Sequence, residues 1–121
     1  MRFGTTVFRL ALCLGWTILL VVSVHAVKTM GMGAAGAVFV SDFAHPWRAQ
    51  FNTDFSLYLL LAAAWMIFRA RSWAIGLIWA VLAINLGALF TLAYLLVLSI
   101  QAKGDMRMVL LGRHARSDAP A

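Results

Sequence analysis

Residues 51–100 read FNTDFSLYLLLAAAWMIFRARSWAIGLIWAVLAINLGALFTLAYLLVLSI, and this stretch decides the fold. Two apolar runs flank a short basic turn at 69–72, and neither 55–68 nor 73–100 contains a charged residue. A helix needs roughly 17–25 mostly apolar residues to cross a hydrocarbon core about 30 Å thick. The second run exceeds that length, whereas the first reaches it only with the polar residues at its ends. The stretch therefore predicts two helices, 51–69 and 73–100, that cross a membrane as a hairpin.

The composition agrees with a membrane location. Hydrophobic residues make up 64% of the 121 residues and charged residues 12%, which is about half the usual share in a globular protein. A soluble domain of this size could not cover so much apolar surface, so the excess must contact lipid or a partner protein. The formal net charge is +6, but the Lys and Arg residues flank the apolar runs and form no single basic face. We expect membrane lipids as partners and no nucleic acid.

The N-terminal residues contain a third apolar run, 10–27, which follows two arginines and ends at Lys28. One interpretation is a signal peptide, for which residues 24–26 form a passable cleavage site. The other is a retained first span, which Trp16 in the middle of the run favours. With a retained span the chain is a single membrane domain, 1–121. The predicted fold is all-α and integral to the membrane, with three transmembrane helices at approximately 8–28, 51–69 and 73–100.

The segments outside the spans are predicted to be irregular. Residues 29–50 form an interfacial loop in this interpretation. Residues 31–36 match G-x-G-x-x-G, but the dinucleotide fingerprint needs a preceding strand in a soluble βαβ unit, and a membrane helix precedes it here. Pro46 can start the next helix. The polar tail, 101–121, is expected to be partly disordered after Gly112, with 106–111 on the surface.

The ends of the second and third spans carry polar and aromatic signals. Asn52, Thr53 or Asp54 can cap the exposed N–H groups of the second span, and an acid there matches the positive end of the helix dipole. Tryptophan side chains suit the depth of the lipid headgroups. The expected interface anchors are Trp47, Trp65 and Trp73.

Small residues recur along the third span at spacings of four, three, four and four, so they share one helical face. Small residues let helix backbones approach closely, and we expect this face to pack on span two or span one. Asn85 lies about 180° away, and a carboxamide facing lipid is costly. We therefore expect Asn85 to bond to another helix or another chain, with a ligand contact as the less favoured alternative. The small-residue face comprises Gly76, Ala80, Ala83, Gly87 and Thr91.

A candidate polar site follows from ionisable residues that three spans bring near one membrane face. Such side chains can bind a metal or relay protons. Their spacing lacks a tight ligand motif such as H-E-x-x-H, and loop or capping positions explain most of them. A lone axial haem ligand at His25 would also need a shaped pocket. We therefore predict no catalytic, metal or cofactor-binding residues. The candidate polar, proton or ligand site consists of His25, Asp42, His45, Asp54 and Tyr58.

Residues 40–100 resemble a family of small bacterial and plant membrane proteins catalogued as domain of unknown function number fourteen seventy-five. Members typically show an acid before a Pro-Trp pair and an aromatic residue two positions after a later acid. Here His45 takes the first position and Phe55 directly follows Asp54, with Tyr58 one turn on. The resemblance implies three spans and brings no established activity. It is carried by His45-Pro46-Trp47, Asp54-Phe55, Trp65, Arg71-Ser72-Trp73, Trp79, Leu86-Gly87 and Tyr94.

These observations favour a non-catalytic accessory or scaffold subunit that packs against another transmembrane protein or a second copy of itself. Three spans offer too little interior for a sizeable cavity, and two helical faces need neighbours. The alternative is an oligomeric binder or transporter component that handles a lipid, a quinone or protons with Asp54, Tyr58 and His25. A metal-dependent membrane enzyme is a third, less favoured class. We expect a bacterial inner membrane location with the N-terminus inside, although the basic residues are divided four to six between the two sides.

Overall fold

The computed structural model describes residues 2–115, and all regular structure within them is helical. Two of the helices are long and apolar enough to cross a membrane. The first has 29 residues and the third has 24, which correspond to about 44 and 36 Å at 1.5 Å per residue. The helices are α1 (Arg2–Met30), α2 (Ala34–Ser41), α3 (Pro46–Arg69), α4 (Trp73–Leu86), α5 (Ala88–Gln101) and α6 (Met106–Leu111), with 3-10 turns at Asp42–Ala44 and Gly112–Ala115.

The connection between α1 and α3 is largely helical, so the prediction of a loop over 29–50 is wrong for most of that segment. Helix α3 begins at Pro46, after an extended His45, because proline fits the first helical position. Residues 52–54 therefore lie inside α3, and the prediction that they cap it is also wrong. Asn52 instead donates a hydrogen bond to the carbonyl of Phe39 at 3.2 Å, which ties α3 to α2.

The predicted third span is divided at Gly87, so the prediction of one helix over 73–100 is wrong. Gly87 has φ 61° and ψ −139°, and the helices on either side have 14 residues each, or about 21 Å. The Trp79 ring lies 5.9 Å from Phe90 and 6.1 Å from Tyr94. In a straight helix, residues 79 and 94 would be about 22 Å apart. Helix α5 therefore folds back along α4.

The small-residue face of α4 packs against α3. An added Cβ at Gly76 would lie 2.7 Å from the Cα of Ile67, and one at Gly87 would lie 3.7 Å from the Phe55 ring. Both ends of α4 thus follow α3 in antiparallel order. The face is buried at Gly76, Ala80, Ala83 and Gly87, whereas Thr91 lies beyond the break, on α5.

Helix α1 packs antiparallel on α5 through two side chains that donate to it. Trp16 donates its indole N–H to the carbonyl of Leu89 at 2.9 Å. Near the start of α1 and the end of α5, Arg9 donates to both the hydroxyl and the carbonyl of Ser99 at 2.9 Å. Ser99 is fully buried. Helix α5 therefore lies between α1 and the α3–α4 pair.

The tail turns back onto α3 through α6. Asp105 caps α6 by accepting the backbone N–H of Arg107 at 3.0 Å. Val109 is fully buried, and Trp65 donates to the carbonyl of Leu110 at 3.0 Å, so α6 packs on α3 and does not simply lie on the surface. The disorder predicted after Gly112 falls largely on 116–121, outside the described residues.

One end of the helices gathers most of the positive charge, and we call it the basic end. The start of α1, the end of α3, the start of α4, the end of α5 and all of α6 meet there, as the contacts above require. Lys28 and Arg48 belong to the opposite ends of α1 and α3. The basic end carries Arg9, Arg69, Arg71, Lys103, Arg107 and Arg113.

Candidate functional site

A cleft of about 820 Å³ lies at the basic end, between the α3–α4 turn, α5 and the α6 region. Its volume falls within the range of small-molecule sites, about 300–1,000 Å³. No Asp or Glu lines it among the described residues. The polar lining comprises Arg69, Arg71, Tyr94, Gln101 and Arg113, and the larger apolar lining residues are Ile75, Trp79, Phe90, Val97, Leu98 and Met108.

Arg69, the last residue of α3, holds the wall of the cleft together. Its Nε donates to the carbonyl of Val109 at 2.8 Å, and its two Nη groups donate to the Tyr94 hydroxyl at 2.9 Å and to the carbonyl of Met108 at 3.4 Å. The planar guanidinium offers five N–H donors in a fixed fork, so one side chain can reach α5 and α6 together. No carboxylate pairs with Arg69 in residues 2–115. Its half-buried positive charge is therefore balanced by neutral acceptors alone.

Aromatic rings surround the Arg69 guanidinium and continue down the cleft. Its central carbon lies 5.9 Å from the Trp65 ring centre and 5.7 Å from that of Tyr94, distances at which a cation is attracted to the ring face. Phe90 and Tyr94 lie one helical turn apart on α5 and stack at 5.6 Å. Trp79 completes the group from α4. The aromatic rings thus form an apolar floor below a basic mouth.

Two further arginines stand at the mouth of the cleft, and both are exposed. Arg113 donates its Nε–H to a ring nitrogen of His114 at 3.2 Å. Arg71 has no hydrogen bond or ion pair within residues 2–115. A concave site lined by one sign of charge with apolar walls concentrates its field and attracts ions of the opposite sign. The chemistry that this cleft suits is the binding of an anion attached to an apolar group.

The residues of the predicted polar site lie on different elements. His25 is on α1, Asp54 and Tyr58 are on α3, and all three are exposed. Asp42 accepts an ion-pair contact from Arg48 at 3.4 Å. Within residues 2–115 no group of three or more His, Cys, Asp or Glu side chains could hold a metal ion. His45 precedes α3 and is exposed, and a role of these residues with a lipid, a quinone or protons stays a prediction.

The predicted interface anchors divide into two kinds. Trp47 is 78% exposed and Trp73 is 69% exposed, which leaves both rings free to contact lipid headgroups. Trp65 is only half-exposed, and its indole N–H binds the tail. Asn85 is exposed, and it donates to the carbonyl of Val81 in its own helix at 2.8 Å, whereas we expected a bond to another helix.

The expectation that the chain has too little interior for a sizeable cavity is wrong, because α4, α5 and α6 enclose this cleft of about 820 Å³ with the end of α3. From the sequence alone, the basic pair at 69 and 71 indicates only the flank of a turn between two spans. A signal was available in the spacing of Phe90 and Tyr94, which places two rings on one face of a helix. The contact of Trp79 with Phe90 could be predicted only by knowing that the chain reverses at Gly87.

A family model described as Protein of unknown function (DUF1475) matches residues 5–117. The match confirms the predicted resemblance and extends it from residues 40–100 to most of the chain. No match was found among the curated proteins or among the solved structures.

Proposed function

The chain belongs to the DUF1475 family of proteins of unknown function, and we propose that it is a non-catalytic integral membrane protein. Its proposed role is that of an accessory or scaffold subunit, which packs against the helices of another membrane protein or of a second copy. In this proposal α1 and α3 cross the membrane, and α4 and α5 form a pair that enters and leaves on the same side. The location is a bacterial inner membrane.

The exposure of the two long helices supports a lipid environment. Only 6% of the apolar window of α1 and 11% of that of α3 are buried inside the protein, so these are not the core helices of a soluble domain. Helices of 14 residues, about 21 Å, are too short for a hydrocarbon core of about 30 Å. The polar contacts of Arg9 and Trp16 with α5 support a retained α1 in place of a cleaved signal peptide.

The fold-back of α5 supports an orientation with the N-terminus inside. Three crossings would leave the tail on the opposite side from the N-terminus and divide the basic residues almost evenly. With two crossings, six of the eight basic side chains within residues 3–115 gather at the basic end, against two, Lys28 and Arg48, at the other. Cytoplasmic segments carry the excess of Lys and Arg in membrane proteins. The basic end is therefore assigned to the cytoplasm.

Asn85 is the observation that carries the interaction role. Twelve residues separate it from Trp73, so it lies about 18 Å along α4 from the basic end, near the middle of a bilayer. Its side-chain N–H₂ binds the carbonyl of Val81, and its carboxamide oxygen accepts no hydrogen bond within residues 2–115. A polar group in hydrocarbon needs a partner, and a neighbouring helix supplies one at a gain of about 0.6 kcal/mol and at most about 1.7 kcal/mol.

The experiment places a photoreactive amino acid at Val81, one turn from Asn85 and 57% exposed, in cells that express the full chain. We expect a protein–protein adduct whose mass identifies a second copy or another chain. Asn85→Leu should lower its yield about threefold, since 0.6 kcal/mol is worth that factor. The control position is Leu86, which is 52% exposed but lies about 140° around α4 from Val81 and about 100° from Asn85. Adducts with lipid alone at Val81 would contradict the proposal.

A further inference from the structure

We propose that the cleft at the basic end binds one anionic phospholipid of the cytoplasmic leaflet, with the phosphate among the arginines and an acyl chain on the aromatic floor. This inference rests on the proposed membrane location. It assigns a specific lipid to a site that the accessory role does not use.

The charge of the lining selects an anion. Three arginines line the cleft and no carboxylate does, within the described part of the chain. Arg69 uses three donor contacts on neutral acceptors, which leaves its charge unneutralised. Arg71 has no partner in residues 2–115. Guanidinium groups match phosphate oxygens in geometry as well as in charge, because two parallel N–H groups can donate to one phosphate.

Neutral donors in the lining of the cleft add to the site. The Tyr94 hydroxyl accepts a hydrogen bond from Arg69, and its own hydrogen remains to be donated. Gln101 lines the cleft two turns further along α5 and is exposed, and its side chain makes no hydrogen bond within residues 2–115. A hydroxyl and a carboxamide can donate to the ester and glycerol oxygens of a lipid headgroup.

The apolar part of the cleft points toward the middle of the membrane. Trp79 lies six residues into α4, about 9 Å beyond Trp73. Its ring stacks on that of Phe90, which lies near the start of α5 and so at the end of α5 furthest from the mouth of the cleft. The mouth is basic and the floor apolar along the direction in which a phospholipid changes from headgroup to acyl chain. A soluble anion such as inorganic phosphate would leave this floor uncovered, so the lipid is the occupant that the lining fits.

The test uses the full chain in nanodiscs of phosphatidylcholine, with and without phosphatidylglycerol, and counts the retained lipids by native mass spectrometry. We expect one phosphatidylglycerol to remain bound. The double variant Arg71→Gln, Arg113→Gln should weaken its retention at least about tenfold, because each substitution removes a positive charge and its charge-assisted hydrogen bonds from the phosphate. Inorganic phosphate added in excess should not displace the lipid.

A matched control removes the same charge from the same end of the protein but outside the cleft, as Lys103→Gln, Arg107→Gln. Retention should change much less in this control than in the cleft variant. Equal losses in the two variants would mean diffuse attraction and would overturn the proposal, as would equal retention of phosphatidylcholine or displacement by phosphate. A chain that enters no nanodisc would contradict the membrane location itself, which is a different result from a chain that enters without lipid preference.

Discussion

The substitution Gly87→Ala distinguishes a folded-back pair of helices from a straight third span. Gly87 has φ 61° and ψ −139°, a combination that residues with a Cβ rarely adopt. An added Cβ would lie 3.7 Å from the nearest atom, in the Phe55 ring, which is an ordinary contact. The cost of alanine is therefore backbone strain alone, about 1–3 kcal/mol.

A straight helix predicts the opposite sign for the same substitution. Alanine within a helix is favoured over glycine by as much as about 1 kcal/mol. The measurement is the free energy of unfolding in mixed micelles of mild detergent and dodecyl sulfate, followed by helical circular dichroism. The folded-back structure predicts that Gly87→Ala lowers this free energy of unfolding by about 1–3 kcal/mol.

Gly36→Ala serves as the matched control, because Gly36 lies inside α2 and an added Cβ there meets nothing within 4 Å. This variant should be as stable as the wild type or slightly more so. If Gly87→Ala instead gained stability in the same way as Gly36→Ala, the reversal of the chain at Gly87 would be refuted.

Two further substitutions test the packing of α4 and α6 on α3. Gly76→Ala should lower the free energy of unfolding by about 1–3 kcal/mol, because the new Cβ would lie 2.7 Å from the Cα of Ile67 and force two backbones apart; unchanged stability would contradict the close approach. Arg69→Leu removes the donors that hold the carbonyls of Met108 and Val109. Amide hydrogen exchange in α6 should then accelerate about ten- to a hundredfold, and unaltered exchange would mean that Arg69 does not hold α6.

The sequence predicted the helical character of the chain because apolar length is a local property. The first two spans coincide with helices long enough to cross a membrane. The small-residue face of α4 was also readable, since a spacing of three and four residues places side chains on one face whatever they contact. Family membership followed from residues spread over the same segment.

The reversal at Gly87 could not be predicted, because glycine is compatible with two opposite roles in a membrane helix. It lets helices pack closely, and it also permits the positive φ at which a helix ends. The spacing from Gly76 agreed with the first role, and nothing local distinguished the second. The packing of Trp79 against rings on α5 favours the reversal over a straight helix, and this packing joins residues that are distant in sequence.

The cleft depends on that same reversal, and so does the orientation that we propose. Arg69 and Tyr94 are 25 residues apart, and only the fold-back brings their side chains within hydrogen-bond distance. The packing of the tail on α3 could not be predicted either, because Trp65 and Leu110 are 45 residues apart in the sequence. Polar residues such as Asp54 are conspicuous in an apolar sequence, whereas the residues that line the cleft come from four separate segments.

The distance between Ile75 and Gln101 tests the fold-back of α5 most directly. Both residues line the cleft, and spin labels can be attached to cysteines at these positions after Cys13→Ser, since Cys13 is the single cysteine. Packed helix axes lie about 8–10 Å apart, so pulsed electron resonance in nanodiscs should give a distance below about 20 Å with the label arms included. A straight helix would separate the two positions by about 39 Å, and a distance near that value would contradict the fold.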